Sequence, residues 1–286
     1  MVWTFDLKEI SAPYAAPFIK WAGGKSQILP WIEKMLPRQI GNYFEPFIGG
    51  GAVFFKLASQ GTVARSFLCD ANPHLVTTYR VVRDEPESLI KYLDELKLRN
   101  SDEYFYQARN RFNHEQMSDV ERAALLIYLN KTCFNGLFRV NSKGHFNVPV
   151  GRYVNPGIYD AQQIQACSAA LKHAEIECGD FESILTDVGP GDFVYFDPPY
   201  VPLTKTAHFT SYARDDFTFD DQVRLSNVFK RLSEVGARVL LSNHATPELI
   251  SLYDGFDISI VPARRMINRD ASRRMAPIDE VLIRNY

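Results

Sequence analysis

Apolar residues follow two patterns along this 286-residue chain, short continuous runs and helical spacings. The runs are rich in aromatic and β-branched side chains and are bounded by polar or turn-forming residues. Such runs are typical of strands buried on both faces of a sheet. Strands are therefore predicted at residues 43–48, 66–70, 193–196, 239–242, 258–261 and 281–283, with another near Ile176.

Helical spacing dominates the middle of the chain. In residues 86–98 and 119–131 the apolar side chains recur every three or four positions, which places them on one side of a helix. On either side of this region strands and helices alternate. This order predicts an α/β protein in which residues 1–70 and 156–286 form a Rossmann-like sheet domain. Residues 71–155 are predicted to form an inserted, mostly helical domain.

A β-hairpin is predicted within the inserted domain. Residues 134–140 and 145–149 are two runs in which apolar and polar residues alternate, and the polar turn Asn141-Ser142-Lys143-Gly144 separates them. Alternating runs around a glycine-containing turn are the signature of a hairpin. The two runs are called the recognition segment below, covering residues 134–149.

A rigid polar bay is predicted directly after the run at residues 193–196. Asp197-Pro198-Pro199-Tyr200 ends that strand, because proline has no N–H for the ladder and fixes the backbone. Open α/β sheets bind ligands at the carboxyl ends of their strands. The bay offers a carboxylate, the Pro198 carbonyl and the Tyr200 ring, which together suit a planar ring that bears an exocyclic amine.

A glycine-rich turn follows the first predicted strand. Gly49-Gly50-Gly51 separates that strand from a helix beginning at Ala52, and glycine permits positive φ and close approach of a ligand. Asp70 ends the next strand at the spacing where dinucleotide-binding folds place an acid on ribose hydroxyls. Because the turn lacks the full G-x-G-x-x-G pattern, it predicts an adenosine-bearing cofactor with a carboxylate in place of a pyrophosphate.

Composition narrows the class of protein. Hydrophobic residues make up 46% of the chain, yet no apolar run approaches the roughly 20 residues that span a bilayer. Residues 1–13 contain Asp6 and Glu9, so a signal peptide is not expected. The four cysteines are far apart, which argues against disulfides and zinc and favours the cytoplasm. They are Cys69, Cys133, Cys167 and Cys178.

Charge is unevenly distributed although the net charge is only −2. Residues 122–159 contain no aspartate or glutamate but several arginines and lysines, and residues 264–274 form a second basic segment. The second segment contains Arg264, Arg265, Arg269, Arg273 and Arg274. Two basic segments on a slightly acidic protein predict a cleft that faces phosphates.

Four motifs occur in a fixed order and together are specific. They are Phe-Ile-Lys-Trp-Ala-Gly-Gly-Lys at 18–25, Glu-Pro-Phe-Ile-Gly-Gly-Gly at 45–51, Asp-Ala-Asn at 70–72 and Asp-Pro-Pro-Tyr at 197–200. From about Pro17 onward the chain resembles the Dam-type DNA adenine-N6 methyltransferases, nearest to those of DpnII-type restriction systems. The resemblance implies an S-adenosylmethionine-dependent enzyme without a metal. It also implies site-specific methylation of double-stranded DNA, with GATC as the expected site and a monomer favoured.

The same resemblance implies site residues. The catalytic residues would be Asp197, Pro198, Pro199 and Tyr200. S-adenosylmethionine would be bound by Trp21, Ala22, Gly23, Lys25, Glu45, Pro46, Phe47, Gly49, Gly51, Asp70, Asp180, Phe181 and Asp197. Within that set, Lys25 is expected to contact the methionine carboxylate, Asp70 the ribose, and Asp180 the adenine amino group.

DNA recognition is expected from the recognition segment, since a two-stranded ribbon fits the major groove. The DNA-binding candidates are Lys20, Asn135, Leu137, Arg139, Lys143, Pro149, Arg152 and Tyr153. Amide and guanidinium side chains suit adenine and guanine edges respectively, which is why Asn135 and Arg139 are the expected base contacts. Arg152 and Lys143 are instead expected at the DNA backbone.

The expected chemistry is direct methyl transfer to a flipped adenine. Hydrogen bonds to Asp197 and the Pro198 carbonyl would localise the lone pair of the amine, while Tyr200 stacks on the base. No cysteine adjoins the bay, which argues against cytosine-C5 chemistry. Cytosine-N4 methylation, methylation of an amine on RNA or on a protein glutamine, and a catalytically silent DNA-binding module remain alternatives.

Overall fold

The strands of the protein form one mixed sheet. A computed structural model describes residues 14–200, 217–264 and 277–286, and within these ranges seven strands pair in the order β3-β2-β1-β4-β5-β7-β6. All pairs are parallel except those of β7, which is antiparallel to β5 and β6. The predicted Rossmann-like α/β fold is confirmed. The strands are β1 Tyr43–Glu45, β2 Ser66–Asp70, β3 Ala174–Cys178, β4 Phe193–Phe196, β5 Arg238–His244, β6 Asp257–Arg264 and β7 Pro277–Arg284.

Both faces of the sheet are covered, as continuous apolar strands require. In β4, Phe193 and Tyr195 belong to one buried apolar cluster, whereas Val194 and Phe196 belong to a second cluster on the opposite face. All four side chains are fully buried. The strand therefore ends inside the protein, and the residues that follow it are held by a rigid base.

The first predicted strand was too long. It was expected over residues 43–48, but β1 ends at Glu45 because Pro46 has no N–H to continue the ladder. The other strand predictions are confirmed with small differences at their ends. The shortened β1 places the Glu45 side chain at the carboxyl edge of the sheet.

Helices flank the sheet and form most of the middle of the chain. The two predicted there are confirmed, and Asp102–His114 adds a helix between them. The described helices are α1 Leu29–Met35, α2 Ala52–Ser59, α3 Pro73–Asp84, α4 Pro86–Leu98, α5 Asp102–His114, α6 Asp119–Thr132, α7 Ala161–Leu171, α8 Phe219–Glu234 and α9 Pro247–Ser251. One apolar cluster contains residues of α4 to α6 together with residues of β1 and β2. The domain boundaries at residues 70 and 155 stay a prediction.

The β-hairpin predicted for the recognition segment is not confirmed, because no strand lies within residues 134–149. Its runs approach each other antiparallel through the isolated bridge Val140↔Phe146, and Cys133↔Val150 forms a second bridge beyond its ends. The first run begins with a 3₁₀ turn, Phe134–Gly136, in which Asn135 has φ 56° and Gly136 φ 66°. Left-handed backbone at two consecutive residues breaks a strand. Backbone hydrogen bonds join the two runs beside the turn, from Asn147 N–H to the Arg139 carbonyl at 3.0 Å and from Asn141 N–H to the His145 carbonyl at 2.9 Å. Asn113 of α5 also holds the second run, through hydrogen bonds of 3.0 and 2.8 Å to the backbone of Phe146.

Candidate active site

A cleft of about 830 Å³ opens near the carboxyl ends of β1, β4 and β5. Its walls bring together residues that are far apart in the chain. Among the sequence-predicted residues, the cleft is lined by Lys20, Trp21, Ala22, Gly23, Lys25, Glu45, Gly51, Asn135, Tyr153, Asp197 and Tyr200. Residues from the motif at 18–25, the glycine turn, the bay after β4 and the recognition segment thus line one concave site.

Lys25 lies at the centre of this cleft with only 3% of its side chain exposed. Its Nζ donates to the Gly23 carbonyl at 2.8 Å and to the Tyr200 hydroxyl at 2.7 Å, and it lies 2.6 Å from Asp197 Oδ1. An ammonium group has three N–H donors, and these contacts engage all three. The expected bond from Lys25 to a cofactor carboxylate therefore requires that one of these partners be exchanged.

Asp197 is held through one of its two carboxylate oxygens. Ser242 of β5 donates to Oδ1 at 3.3 Å, and Tyr195 forms a 2.8 Å hydrogen bond with the Ser242 hydroxyl. Lys25 contacts the same Oδ1, whereas no side chain or backbone group of the described residues bonds Oδ2. Burial raises the pKa of Asp197, and the Lys25 ammonium and Ser242 hydroxyl oppose that rise.

The backbone after Asp197 is fixed by buried amides. Gln222 of α8 donates to the Pro199 carbonyl at 3.2 Å and accepts from Asn243 of β5 at 3.1 Å. The ring of Tyr200 stacks on His244, with centroids 3.7 Å apart and planes 23° apart. These contacts add to the constraint that the two prolines place on the backbone of the bay. Two of the contacting residues, Asn243 and His244, belong to β5.

The glycine turn is shaped by close contacts. Gly51 has φ 69°, and a Cβ there would lie 2.7 Å from the Tyr79 hydroxyl, which itself donates to the Gly49 carbonyl at 3.0 Å. Asp70 accepts from the backbone N–H of Gly49 at 3.1 Å and of Asn72 at 2.9 Å. Burial raises the pKa of Asp70, and these two N–H groups oppose the rise.

The residues expected around the cofactor's adenine lie beyond the glycine turn, outside the lining of the cleft. Phe181 packs between the ring of Phe47, 5.3 Å away, and the guanidinium of Arg224, 4.3 Å away. Asp180 accepts from Arg224 at 2.6 Å. Stacking of an adenine on Phe181 therefore requires Arg224 to move. Pro46, Phe47, Gly49 and Asp70 lie with this second group rather than in the cleft.

Two further carboxyl groups line the cleft. Glu45 is 2% exposed and accepts from Tyr43 at 2.8 Å, and burial raises its pKa. Glu280 of β7 lies opposite His244 in the sheet, and its Oε2 is buried without a hydrogen-bond partner among the described residues. Burial, and then the charge of Asp197, raise the pKa of Glu280. Three carboxyl groups therefore line the cleft together with the Lys25 ammonium, and burial is the largest cause of the raised pKa of each.

Three of the DNA-binding candidates, Lys20, Asn135 and Tyr153, line the cleft, and the other five do not. Lys20 Nζ lies 5.0 Å from the centre of the Tyr153 ring, and Lys131 also lines the cleft. Arg139 is exposed, and its Nε donates to Asn147 at 2.7 Å. Lys143, Pro149 and Arg152 are exposed as well, while Leu137 is half-buried. The basic segment at residues 264–274 lies almost entirely outside the described residues.

Asn130 links the motif at residues 18–25 to the recognition segment, and the sequence analysis did not identify it. Its side chain accepts from the Lys20 N–H at 2.8 Å and donates to the carbonyls of Lys20 at 2.8 Å and Gly136 at 2.9 Å. A Cβ on Gly136 would lie 2.5 Å from Lys20 Cδ, which shows how closely the segments approach. The signal available in the sequence was a polar residue at a core position of α6.

Ser242 and Glu280 were also missed, and for a different reason. Both lie on strands that were predicted from their apolar residues, where a single polar position gives no indication of its neighbour. The described residues contain no group of three or more metal-ligating side chains and no helix able to cross a membrane.

Comparison with known proteins agrees with this geometry. A family model described as "D12 class N6 adenine-specific DNA methyltransferase" matches residues 21–267. The type II methyltransferase M.MjaIII of Methanocaldococcus jannaschii is 45% identical over 94% of this chain and 99% of its own length. M1.LlaDCHI of Lactococcus lactis is also 45% identical, over 94% of this chain and 95% of its own. The DNA adenine methylase of Escherichia coli K12 is 35% identical over 93% of both chains.

The match covers most of the chain and includes the motifs at residues 45–51 and 197–200 and the motif at residues 18–25 from Trp21 onward. The relatives are matched along nearly their whole length, so the likeness is not confined to one segment. The chain belongs to the D12 class of N6 adenine-specific DNA methyltransferases.

Proposed function

We propose that this protein transfers a methyl group from S-adenosylmethionine to N6 of a flipped adenine in double-stranded DNA, at GATC sites. The observation that carries the proposal is the setting of Asp197. Its carboxylate ends a buried strand, faces a cleft and keeps one oxygen without a protein partner among the described residues. An amine N–H can donate to that oxygen, as transfer to an exocyclic amine requires.

The residues present fit the cofactor. When bound, S-adenosylmethionine supplies an electrophilic methyl group on a positively charged sulfonium. A cation bound in the cleft would lie among the carboxyl groups of Glu45, Asp197 and Glu280, and its charge would favour their ionised forms, which burial opposes. Gly50 and Gly51 line the cleft, and Asp70 lies at the edge of their turn with lone pairs available besides its two backbone bonds.

The target adenine has to leave the duplex to reach Asp197, whose side chain is only 20% exposed. Because His244 covers one face of Tyr200, the flipped base stacks on the opposite face. Stacking on an aromatic ring is worth about 1–3 kcal/mol per base, which offsets part of the unstacking cost. The Asp197 carboxylate then accepts from the amine and stabilises the positive charge that develops on nitrogen.

The GATC assignment rests on the family resemblance of the sequence motifs and on the recognition segment. Arg139, exposed on that segment, presents a guanidinium to the major groove, and Asn135 lies where the segment meets the cleft. Two of the relatives are type II methyltransferases, which supports a place for this enzyme in a restriction–modification system.

The test is methyl transfer from labelled S-adenosylmethionine to two duplexes that differ only in GATC against GTAC. Label on the GATC duplex alone, recovered as N6-methyladenine, is the expected result. Equal label on both discards the sequence assignment, and N4-methylcytosine would favour the nearest alternative chemistry. Cofactor binding without any label on either duplex would favour an RNA substrate or a silent DNA-binding module.

Base flipping needs its own readout. A duplex with 2-aminopurine at the target adenine should gain fluorescence when the protein and a non-reactive cofactor analogue are both present, because the probe is unstacked on extrusion. The same probe at a neighbouring position is the control. Binding of the duplex without a fluorescence change at the target position would contradict extrusion.

A further inference from the structure

A buried chain of hydroxyl groups ends on the catalytic carboxylate. Ser242 and Tyr195 are both 0% exposed, on the neighbouring strands β5 and β4. The pairing of Phe196 with Leu241 places Ser242 beside Asp197, and Tyr195 lies two residues before Asp197 on the same face of β4. The side chains of Tyr195, Ser242 and Asp197 are therefore in line by strand register and not by a flexible loop.

The direction of the hydrogen bonds follows from proton count. A serine hydroxyl has a single proton, and the Ser242 proton is donated to Asp197 Oδ1 at 3.3 Å. The 2.8 Å contact between Tyr195 and Ser242 then requires Tyr195 to be its donor. Burial raises the pKa of Tyr195 well above its ordinary value, so this phenol keeps its proton.

The two oxygens of Asp197 are thus differently engaged. Oδ1 accepts a hydrogen bond from Ser242 and contacts the Lys25 ammonium, whereas Oδ2 has no partner among the described residues. Two donors on one oxygen restrict rotation of the carboxylate. We infer that Ser242, oriented by Tyr195, is a positioning residue that holds Oδ1 of Asp197 so that Oδ2 accepts the substrate amine.

This inference rests on the proposed function, because it assigns the second oxygen to the amine of that reaction. It adds a role for a residue of β5, a strand that contains none of the four sequence motifs named above. Ser242 does not touch the reacting atoms. Its effect is to orient Asp197 and, since a hydrogen bond to the charged form favours that form, to keep the carboxylate ionised.

The test is Ser242→Ala, with kcat and its pH profile measured at saturating cofactor and DNA. We expect kcat to fall about three- to tenfold, a modest loss because 3.3 Å is long for a hydroxyl bond to a carboxylate. The acidic limb of the profile should move to higher pH. Other charged or titratable groups that face Asp197 are Lys25, Glu45, Tyr195, Tyr200, His244 and Glu280, and none is changed by the substitution.

Two further variants separate positioning from folding. Ser242→Thr keeps the hydroxyl and should restore the wild-type profile. Ser242→Ala combined with Tyr195→Phe leaves no buried hydroxyl unpaired, and it should show the same loss of kcat at a wild-type melting temperature. Ser226→Ala, a buried serine of α8 whose hydroxyl bonds only its own helix, is the matched control.

The outcomes are distinct. An unchanged kcat and acidic limb in Ser242→Ala, or recovered kcat in the double variant, would overturn the inference. Absence of methyl transfer by the wild-type protein would instead overturn the proposed function, before any variant is compared. A rise in the cofactor KM with unchanged kcat would place Ser242 in binding and also overturn the positioning role.

Discussion

The Nζ of Lys25 lies 2.6 Å from Oδ1 of Asp197, and these two residues are separated by most of the chain. Lys25 is the last residue of the motif at 18–25, and Asp197 is the first residue of the bay after β4. Their contact joins the two motifs before any substrate is bound. It also makes the charge of Lys25 the main opponent of the burial that raises the pKa of Asp197.

Replacement of Asp197 should separate binding from chemistry. Asp197→Asn keeps the shape of the side chain but removes the charge, so cofactor and DNA affinities should stay near normal. Turnover should fall about 10²–10³-fold, the usual cost of losing a group that stabilises developing charge. Single-turnover methyl transfer with titrations of both ligands checks this. Wild-type turnover in the variant would contradict the mechanism.

The pH dependence of kcat should show an acidic limb from Asp197. In the proposed mechanism transfer needs the carboxylate, and the pKa of Asp197 is raised, so activity should fall at a higher pH than the roughly 4 of an ordinary aspartate. Lys25→Gln removes the opposing charge and should move the limb still higher, when measured at saturating cofactor. Lys172→Gln, at an exposed lysine beyond α7, is the control. A limb that Lys25→Gln leaves in place would show that another group titrates.

Replacement of Arg139 should relax sequence preference. If its guanidinium binds a guanine edge, Arg139→Ala should cost about 1–3 kcal/mol at one base pair and little elsewhere. Binding to a set of duplexes with single changes in GATC provides the measurement. Lys143→Ala, in the exposed turn of the same segment, should weaken all duplexes alike and reduce the salt dependence. Uniform weakening in Arg139→Ala would identify a phosphate contact instead.

Two glycines of the recognition segment offer a matched pair. Gly136 and Gly144 both have positive φ, at +66° and +78°, but only Gly136 has a neighbour, with Lys20 Cδ 2.5 Å from the position of a Cβ. Alanine at either should cost about 1–2 kcal/mol of backbone strain. Gly136→Ala should in addition displace Lys20 and weaken DNA binding. Equal effects of both variants on binding would contradict the close approach.

The thiols should differ sharply in reactivity. Cys69, Cys133 and Cys167 are buried, and burial raises the pKa of Cys69 to about 11 and those of the other two to about 12. Cys178 is exposed, although its pKa is also raised. A thiol reagent should therefore label Cys178 slowly in the native protein and all four cysteines after unfolding. Rapid labelling of Cys133 would contradict the packing of α6.

Much of the fold and the centre of the site could be predicted from the sequence. The runs at residues 66–70 and 193–196 are bounded by strong turn signals, and their predicted limits are confirmed. The run at residues 43–48 contains Pro46, which ends the strand earlier than its apolar pattern predicts. Asp197, Tyr200 and Lys25 belong to contiguous motifs and were identified as such. Their mutual contact was not predictable, since it depends on how the 3₁₀ turn at Lys25–Gln27 packs against the end of β4.

The sequence does not show which residues of other strands and helices contact the residues of the motifs. Ser242, Glu280 and Asn130 are single polar residues in apolar surroundings, and only the tertiary structure shows what each one contacts. The predicted hairpin is not confirmed as a pair of strands, and part of the reason is local. Alternation of apolar residues predicts pairing, but the left-handed backbone at Asn135 and Gly136 belongs to a turn.

The three hydrogen bonds of Asn130 have a consequence for transplanting target specificity between relatives. A graft limited to residues 134–149 would bring a foreign turn against a resident asparagine and a resident lysine backbone. A junction placed in α6 before residue 130, with residues 18–25 taken from the same donor, would move the amide and both of its partners together. The natural unit of exchange in this enzyme is therefore two separate stretches of sequence.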